Sequence, residues 1–313
     1  MKQIYYQHIT LICLLIATTW LLSACSNDDS KEVKETAQAP SEIIFKPDVW
    51  QMVEATRATM YKDASLQSGG FTVYAYSVGT TTSYINNKSV SYSASKWTIA
   101  DGPYYWPNYH LDFFAYAPSS GSCITTGPTY SYSSGQHVSF TCSSLPVTSG
   151  GQSSITEFVY ALAADQNKED HAASGVTLNF VHPFTRIKLQ LAANHPDIRI
   201  NTITFKSVKY NGSYDNGWTP SGVATDFVWT YNADYSSSAS VQALGDSYLV
   251  IPQDWDGVIE VNADCLFWGE KVNYPSLTTT VPTKWQPGYS YTYTFNISPD
   301  DLKVNISKFT EQW

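Results

Sequence analysis

The side chains able to do chemistry in this chain are few, and their spacing does not assemble a reaction. Six histidines occur, yet there is no HExxH metal pattern, no CxxC pair, no GxSxG nucleophile turn and no GxxxxGK[ST] phosphate loop. His182 falls in an alternating apolar stretch beside Pro183 and near Arg186, where a structural histidine is expected rather than a base. Acidic pairs stand at Asp28-Asp29, Glu169-Asp170 and Asp300-Asp301, and Asp254 and Asp256 flank Trp255. A glycosidase needs two carboxylates facing each other across a cleft, and no such pairing is readable here. The stretch QDWDG can offer carboxylate oxygens to calcium, although a polar hairpin turn accounts for it more simply. No catalytic residue, metal ligand or cofactor is therefore expected, and the chain reads as a non-enzyme. The aromatics offer a different chemistry. PYYWPNY and WTPSG set Trp106 and Trp218 near turns, where flat apolar faces can stack on glycans. The same residue types also fill the cores of small sandwiches.

The cysteines carry the most specific signal. Lys2 and the apolar run from Ile9 to Leu22 read as a secretory signal, too short for a spanning helix of roughly 20 residues. Leu22-Ser23-Ala24-Cys25 has the form of a lipobox, in which the Cys25 thiol is acylated and becomes the first residue. The plain alternative is an ordinary secretory signal with an incidental cysteine. Acyl chains hold a protein on a membrane by burying methylenes, at roughly 0.8 kcal/mol each. Of the five cysteines, Cys13 goes with the signal, leaving Cys123, Cys142 and Cys265 in the body of the chain. Export permits disulfides, and Cys123 and Cys142 flank a segment able to fold back as a hairpin, so a bridge between them is one expectation. Three reduced cysteines packed as small apolar residues are the other.

The elements that must position these residues are strands. Charged residues are only 14%, below the roughly 25% of an average soluble chain, while aromatics reach 15%. Aromatic and β-branched residues fit a pleated, half-buried surface. FTVYAYSV, ITFKSVKY, SYLVIPQ, GVIEVNADCLF and YSYTYTFNIS all read as strands, separated by turn clusters such as PSSGS, TSGGQSS and YNGSYDNG. LDFFAYAP is an apolar run stopped by proline, and VTLNFVHPFTRIKLQL alternates with Pro183 in its middle. EFVYALAADQNKED is the best helix candidate, and equally a strand and a loop. The expected organisation is a signal peptide over 1–24, a flexible linker over 25–41, and two β-sandwiches over 42–172 and 173–313. A net charge of -9 argues against nucleic acid as a partner.

Several motifs stand in an order that carries a resemblance. TRAT, FTVYAY, YYWPNYHLDFFAYAP, LNFVHPFTRIKLQL, YLVIPQ and WQPGYSYTYTFNI follow one another over residues 42–313. Taken together the chain resembles the fimbrillin family of Bacteroidales, pilin-like lipoproteins of surface fimbriae. The resemblance implies an all-β fold of two tandem transthyretin-like sandwiches. The acidic SNDDSKE after Cys25 is similar to the tag that sends such lipoproteins to the outer face of the outer membrane. The resemblance also implies assembly: an arginine- or lysine-directed protease removes an N-terminal strand, and a strand from the next subunit fills the groove. The residues permit it. Ser41 to Arg57 carries Ile43, Ile44, Phe45, Val49, Trp50, Met52 and Val53, interrupted by Pro47, and the bond between Arg57 and Ala58 follows, with Lys62 a second candidate. The family's donated strand is C-terminal, which points to Leu302, Val304 and Ile306. A terminal strand of its own domain is the simpler alternative there. Expected partners are other fimbrial subunits and, through lipid, the outer membrane. The rival reading is a surface glycan-binding lipoprotein or fimbrial tip adhesin using Trp106 or Trp218.

Overall fold

The structure, a computed structural model, describes residues 39–49, 62–120, 122–132, 135–245, 247–267, 270–298 and 301–309. Cys25, the signal and most of the linker, Trp50, Met52, Val53, Arg57 and Ala58 lie outside the described residues. Period-2 sequence becomes strand nearly everywhere. The chain opens with β1 (Phe45–Val49), a short helix α1 (Asp63–Gly69), β2 (Phe71–Ser77), β3 (Ser83–Ser93), β4 (Lys96–Ile99) and β5 (Leu111–Ala117). Then come β6 (Ile124–Tyr132), β7 (Gln136–Cys142), the single turn α2 (Ser149–Gln152), β8 (Val159–Gln166), the single turn α3 (Lys168–His171) and β9 (Val176–Phe180). After these run β10 (Thr185–Leu191), β11 (Ile198–Val208), β12 (Asn211–Asp215), β13 (Trp218–Ser221) and β14 (Thr225–Tyr235). The short β15 (Gln242–Ala243), β16 (Tyr248–Val250) and β17 (Asp254–Trp255) precede β18 (Val258–Phe267), β19 (Glu270–Thr280), β20 (Thr283–Lys284), β21 (Ser290–Ser298) and β22 (Asp301–Phe309).

A five-stranded antiparallel sheet, β4-β3-β2-β5-β8, is covered on both faces. Successive residues of a strand point to opposite faces. Phe113 accordingly enters one hydrophobic cluster and Phe114 the other. A strand buried on both sides has no solvent face to make polar, which is why LDFFAYA is apolar throughout. One face packs against the two-stranded pair β1-β9 and against Leu66 of α1. The other packs under the sheet β13-β12-β7-β6. The remaining core lies between the four-stranded β14-β11-β18-β19 and the sheet β15-β10-β21-β22, where β16 also pairs with β10. Phe205 sits at its centre, stacked on Trp255 at 4.8 Å and edge-on to Trp229 at 4.6 Å and Tyr293 at 4.9 Å. The Trp255 and Trp285 indoles donate to the Lys206 carbonyl at 2.7 Å and the Tyr293 hydroxyl at 2.9 Å, so two of the ring nitrogens keep partners after burial.

The structure corrects the expected division at 172/173. Val176, Leu178 and Phe180 belong to the first core, not the last. The sheet β13-β12-β7-β6 mixes strands from both sides of that point, with Phe140 opposite Tyr214 and Cys142 opposite Gly212. The segment VTLNFVHPFTRIKLQL is two strands in two sheets, β9 and β10, split around Pro183. EFVYALAADQNKED is strand β8 followed by the turn α3. His182 is structural: its Nδ1 lies 2.8 Å from the Glu157 carboxylate, both fully buried. QDWDG is not the polar hairpin turn expected: its Asp254–Trp255 form strand β17, paired with β20. The Gly257 carbonyl that follows accepts from the Val281 amide at 2.8 Å, with Gly257 required there at φ +82° because a Cβ would lie 2.0 Å from the Val281 backbone. Among the described residues, no three of His, Cys, Asp and Glu converge as a metal site.

Two measurements test this packing. Phe205→Ala should lower stability by about 3–5 kcal/mol, read as a fall in the urea midpoint; a loss under about 1 kcal/mol would place the core elsewhere. Burial, with the Tyr116 phenol beside it, pushes Tyr74 from its ordinary 10.0 up to about 12. The fold thus favours the neutral phenol, a contribution whole below pH 10.0 and lost as pH rises through about 12. Tyrosinate absorbance should show late-ionising groups, with stability falling over the same interval.

Candidate functional site: the slot of the N-terminal strand

Strand β1 runs parallel to β9, with Phe45 opposite Val176, Pro47 opposite Leu178 and Val49 opposite Phe180. Among the described residues β9 is its one ladder neighbour, and no described strand pairs with its other edge. Proline is tolerated on such an edge because only one side of the strand needs its amides. Pro47 therefore does not break the strand. Just upstream, Glu42 and Tyr105 form an antiparallel bridge, in which the Ile43 amide donates to the Tyr104 carbonyl at 2.8 Å and the Trp106 amide to the Ser41 carbonyl at 3.0 Å. Downstream, the Val49 amide donates to the Asp63 carboxylate at 2.7 Å. The segment is thus clamped at both ends by different parts of the chain.

Alternation decides what it buries. Ile43, Phe45 and Val49 are 2%, 4% and 0% exposed, whereas Lys46 and Asp48 face solvent. The Phe45 ring meets Phe71 at 5.9 Å and Phe113 at 5.6 Å, both edge-on. Gly175 makes the close approach possible. Its φ is +78°, and a Cβ there would stand 3.1 Å from Ile44 Cγ1 and 3.2 Å from the Ile44 carbonyl. The Glu42–Lys96 ion pair at 3.1 Å is exposed and contributes about 1 kcal/mol at most. Burial of the three side chains contributes roughly 1.5–3 kcal/mol each, about 4–9 kcal/mol in all as an upper bound. Sequence reasoning found these side chains. It missed β9, Asp63 and Gly175, because no local pattern announces a parallel pairing with residues so distant in the chain.

The other candidates are distributed differently. Leu302, Val304 and Ile306 lie on β22, the hairpin partner of β21, at register positions opposite Ile297, Phe295 and Tyr293. Ile306 is half-buried against the last core. In this structure the candidate donor strand is thus the terminal edge strand of its own sheet. Trp106 is 8% exposed, edge-on to Phe113 and stacked on His171. Trp218 is half-buried over Gly212, its indole donating to the Pro183 carbonyl at 2.5 Å. The two indoles pack against different clusters. Cys123, Cys142 and Cys265 are buried free thiols, so the bridge is not formed in this structure. The Cys142 thiol accepting from it, together with burial, holds the Cys123 thiol well above the ordinary range.

An all-β sandwich protein with a detachable-looking first strand is the class these features define. The chain belongs to the fimbrillin-like family, whose model matches residues 56–313. Its fold is similar to that of a Bacteroides uniformis protein described as a candidate cell adhesion protein, with a TM-score of 0.53 and 14% identity over 86% of this chain and 98% of that one. A Bacteroides ovatus protein described in the same terms gives a TM-score of 0.49 and 17% identity, over 86% of this chain and 97% of that one. The tip fimbrial protein Mfa3 of Porphyromonas gingivalis, with its C-terminus truncated, gives 0.35 and 8% identity over 77% and 93%. No curated protein matches. Family membership supports a cell-surface fimbrial subunit or adhesin, with other fimbrial subunits as partners. The matched residues begin after β1, so the slot's occupant is read from the structure alone.

Phe45→Ala should cost about 3–5 kcal/mol and make residues 41–49 the first segment cut in limited proteolysis. An unchanged digestion pattern would show that this ring does not hold the strand.

Proposed function

We propose that the protein is a non-enzymatic subunit of a surface fimbrium, exported as an outer-membrane lipoprotein through Cys25 and assembled by strand exchange. A cut after Arg57 severs β1 from the sandwich that it plugs, and a strand from a neighbouring subunit takes its place. The observation that carries this reading is the seating of β1: buried on one face, paired on one edge, and covalently joined to the body only through residues 50–61. An exposed sheet edge over a hydrophobic slot is a site for strand addition. The segment Leu302, Val304 and Ile306 is the proposed donor, since β22 is an edge strand held in its sheet by β21 alone among the described residues.

Treating the full chain with an arginine-specific protease should give one discrete product beginning at Ala58, together with higher oligomers. Arg57→Ala should stay uncut and monomeric, and excess synthetic peptide of residues 41–57 should suppress the oligomers. Survival of the wild-type chain intact, or its breakdown into many fragments, would end the strand-exchange reading.

A further inference from the structure

A cavity of about 630 Å³ opens where the β1-β9 pair meets Tyr160 of β8, Tyr214 of β12 and the turn before β21. Nothing in the assembly reading uses it. Asp48 and Asn179, opposite each other in the β1-β9 register, stand on its wall, both exposed. Neither side chain takes a hydrogen bond or ion pair with a described residue. Tyr160 and Tyr214 line it with their hydroxyls 2.7 Å apart, and the exposed Pro287 and half-buried Tyr289 also line it.

The chemistry of the lining narrows the occupant. The volume lies in the range of small-molecule sites. The lining residues include one carboxylate and neither lysine nor arginine, on a chain of net charge -9, so an anion finds no fixed positive charge there. An apolar ligand would strip water from Asp48 and Asn179 and return no hydrogen bond. A cation gains little from a single exposed carboxylate. A ligand with many hydroxyls and flat C–H faces satisfies both kinds of surface: carboxylate and carboxamide take the hydroxyls, and the tyrosine and proline faces take the C–H groups. We propose that this cavity is a binding site for a short neutral oligosaccharide, held by Asp48 and Asn179 against the faces of Tyr289 and Pro287. Asp48 belongs to β1, so the site is complete only while that strand is seated. The proposal concerns the uncut chain and stands or falls independently of strand exchange.

The test uses the uncut, full chain with lactose, maltose and chitobiose as probes, read by saturation-transfer NMR and by titration. At least one probe should bind. Asp48→Ala and Asn179→Ala should each weaken it by about tenfold, and Val181→Trp, at a 46% exposed rim position, should block it. Circular dichroism and the melting temperature should be unchanged in all three. No binding by any probe, equal binding by the variants, or binding of a lysine-rich peptide in place of the sugars would overturn the assignment.

Discussion

The first sandwich depends on a five-residue strand held by burial and by one neighbour. Three buried side chains contribute about 4–9 kcal/mol at most. Holding a separate peptide in place costs an estimated 4–15 kcal/mol of translational and rotational freedom. In the intact chain that cost is largely removed, because residues 50–61 keep β1 beside its slot. The same contacts that seat β1 firmly in one chain are therefore marginal for a detached peptide. Covalent continuity, more than the strength of the packing, decides whether the slot stays filled.

An emptied slot does not by itself dismantle the fold. The sheet β4-β3-β2-β5-β8 has a second covered face, which the β1 segment does not touch. That face is tied to the last sandwich by buried groups with satisfied hydrogen bonds. The fully buried Gln152 donates from Nε2 to the Leu249 carbonyl at 3.0 Å and accepts the Leu249 amide at 3.0 Å. Tyr130 of β6, itself buried, donates to the Asp112 carboxylate of β5 at 3.1 Å and so ties the same face to the sheet β13-β12-β7-β6. Buried polar groups paired in this way fix one arrangement, because every alternative leaves a partner without its bond. Under the proposed assembly, these bonds are what would hold the body together while the slot is empty.

The strands were legible where one face is buried, since alternation is then written directly into the residue types. VTLNF and SYTYTFNIS are of this kind. LDFFAYA was legible as a strand but not as a doubly covered one, because an apolar run alone does not say what lies on either side. Layer assignment was the least readable. Pro183 marks the change from the first core to the last, and the alternation changes phase there, from Val176, Leu178 and Phe180 to Ile187, Leu189 and Leu191, yet nothing in that slip says which sheet each half joins. Trp106 and Trp218 left two readings open for a related reason: an aromatic beside a turn has the same sequence signature whether its ring faces water or the core. The buried positions of the strand segment were visible, whereas its partner at 176–180 was not, because parallel pairing between distant segments leaves no local mark.

Chain order adds a constraint that packing alone does not. Cys25, the linker, β1 and Asp48 all lie on the N-terminal side of Arg57. A single break at that bond therefore acts on several properties together. It separates the body from any acyl chain on Cys25, and it converts β1 from a tethered strand into a free peptide. It also puts the Asp48 wall of the cavity on the departing piece. Were β1 placed after the cut, the subunit would lose its lipid and keep its slot closed. Were Cys25 placed after it, the slot would open on a subunit still fixed to the membrane. Under the proposed assembly, this order would make release and readiness to pair one event, so that an uncut subunit would not expose its edge before it is free to move.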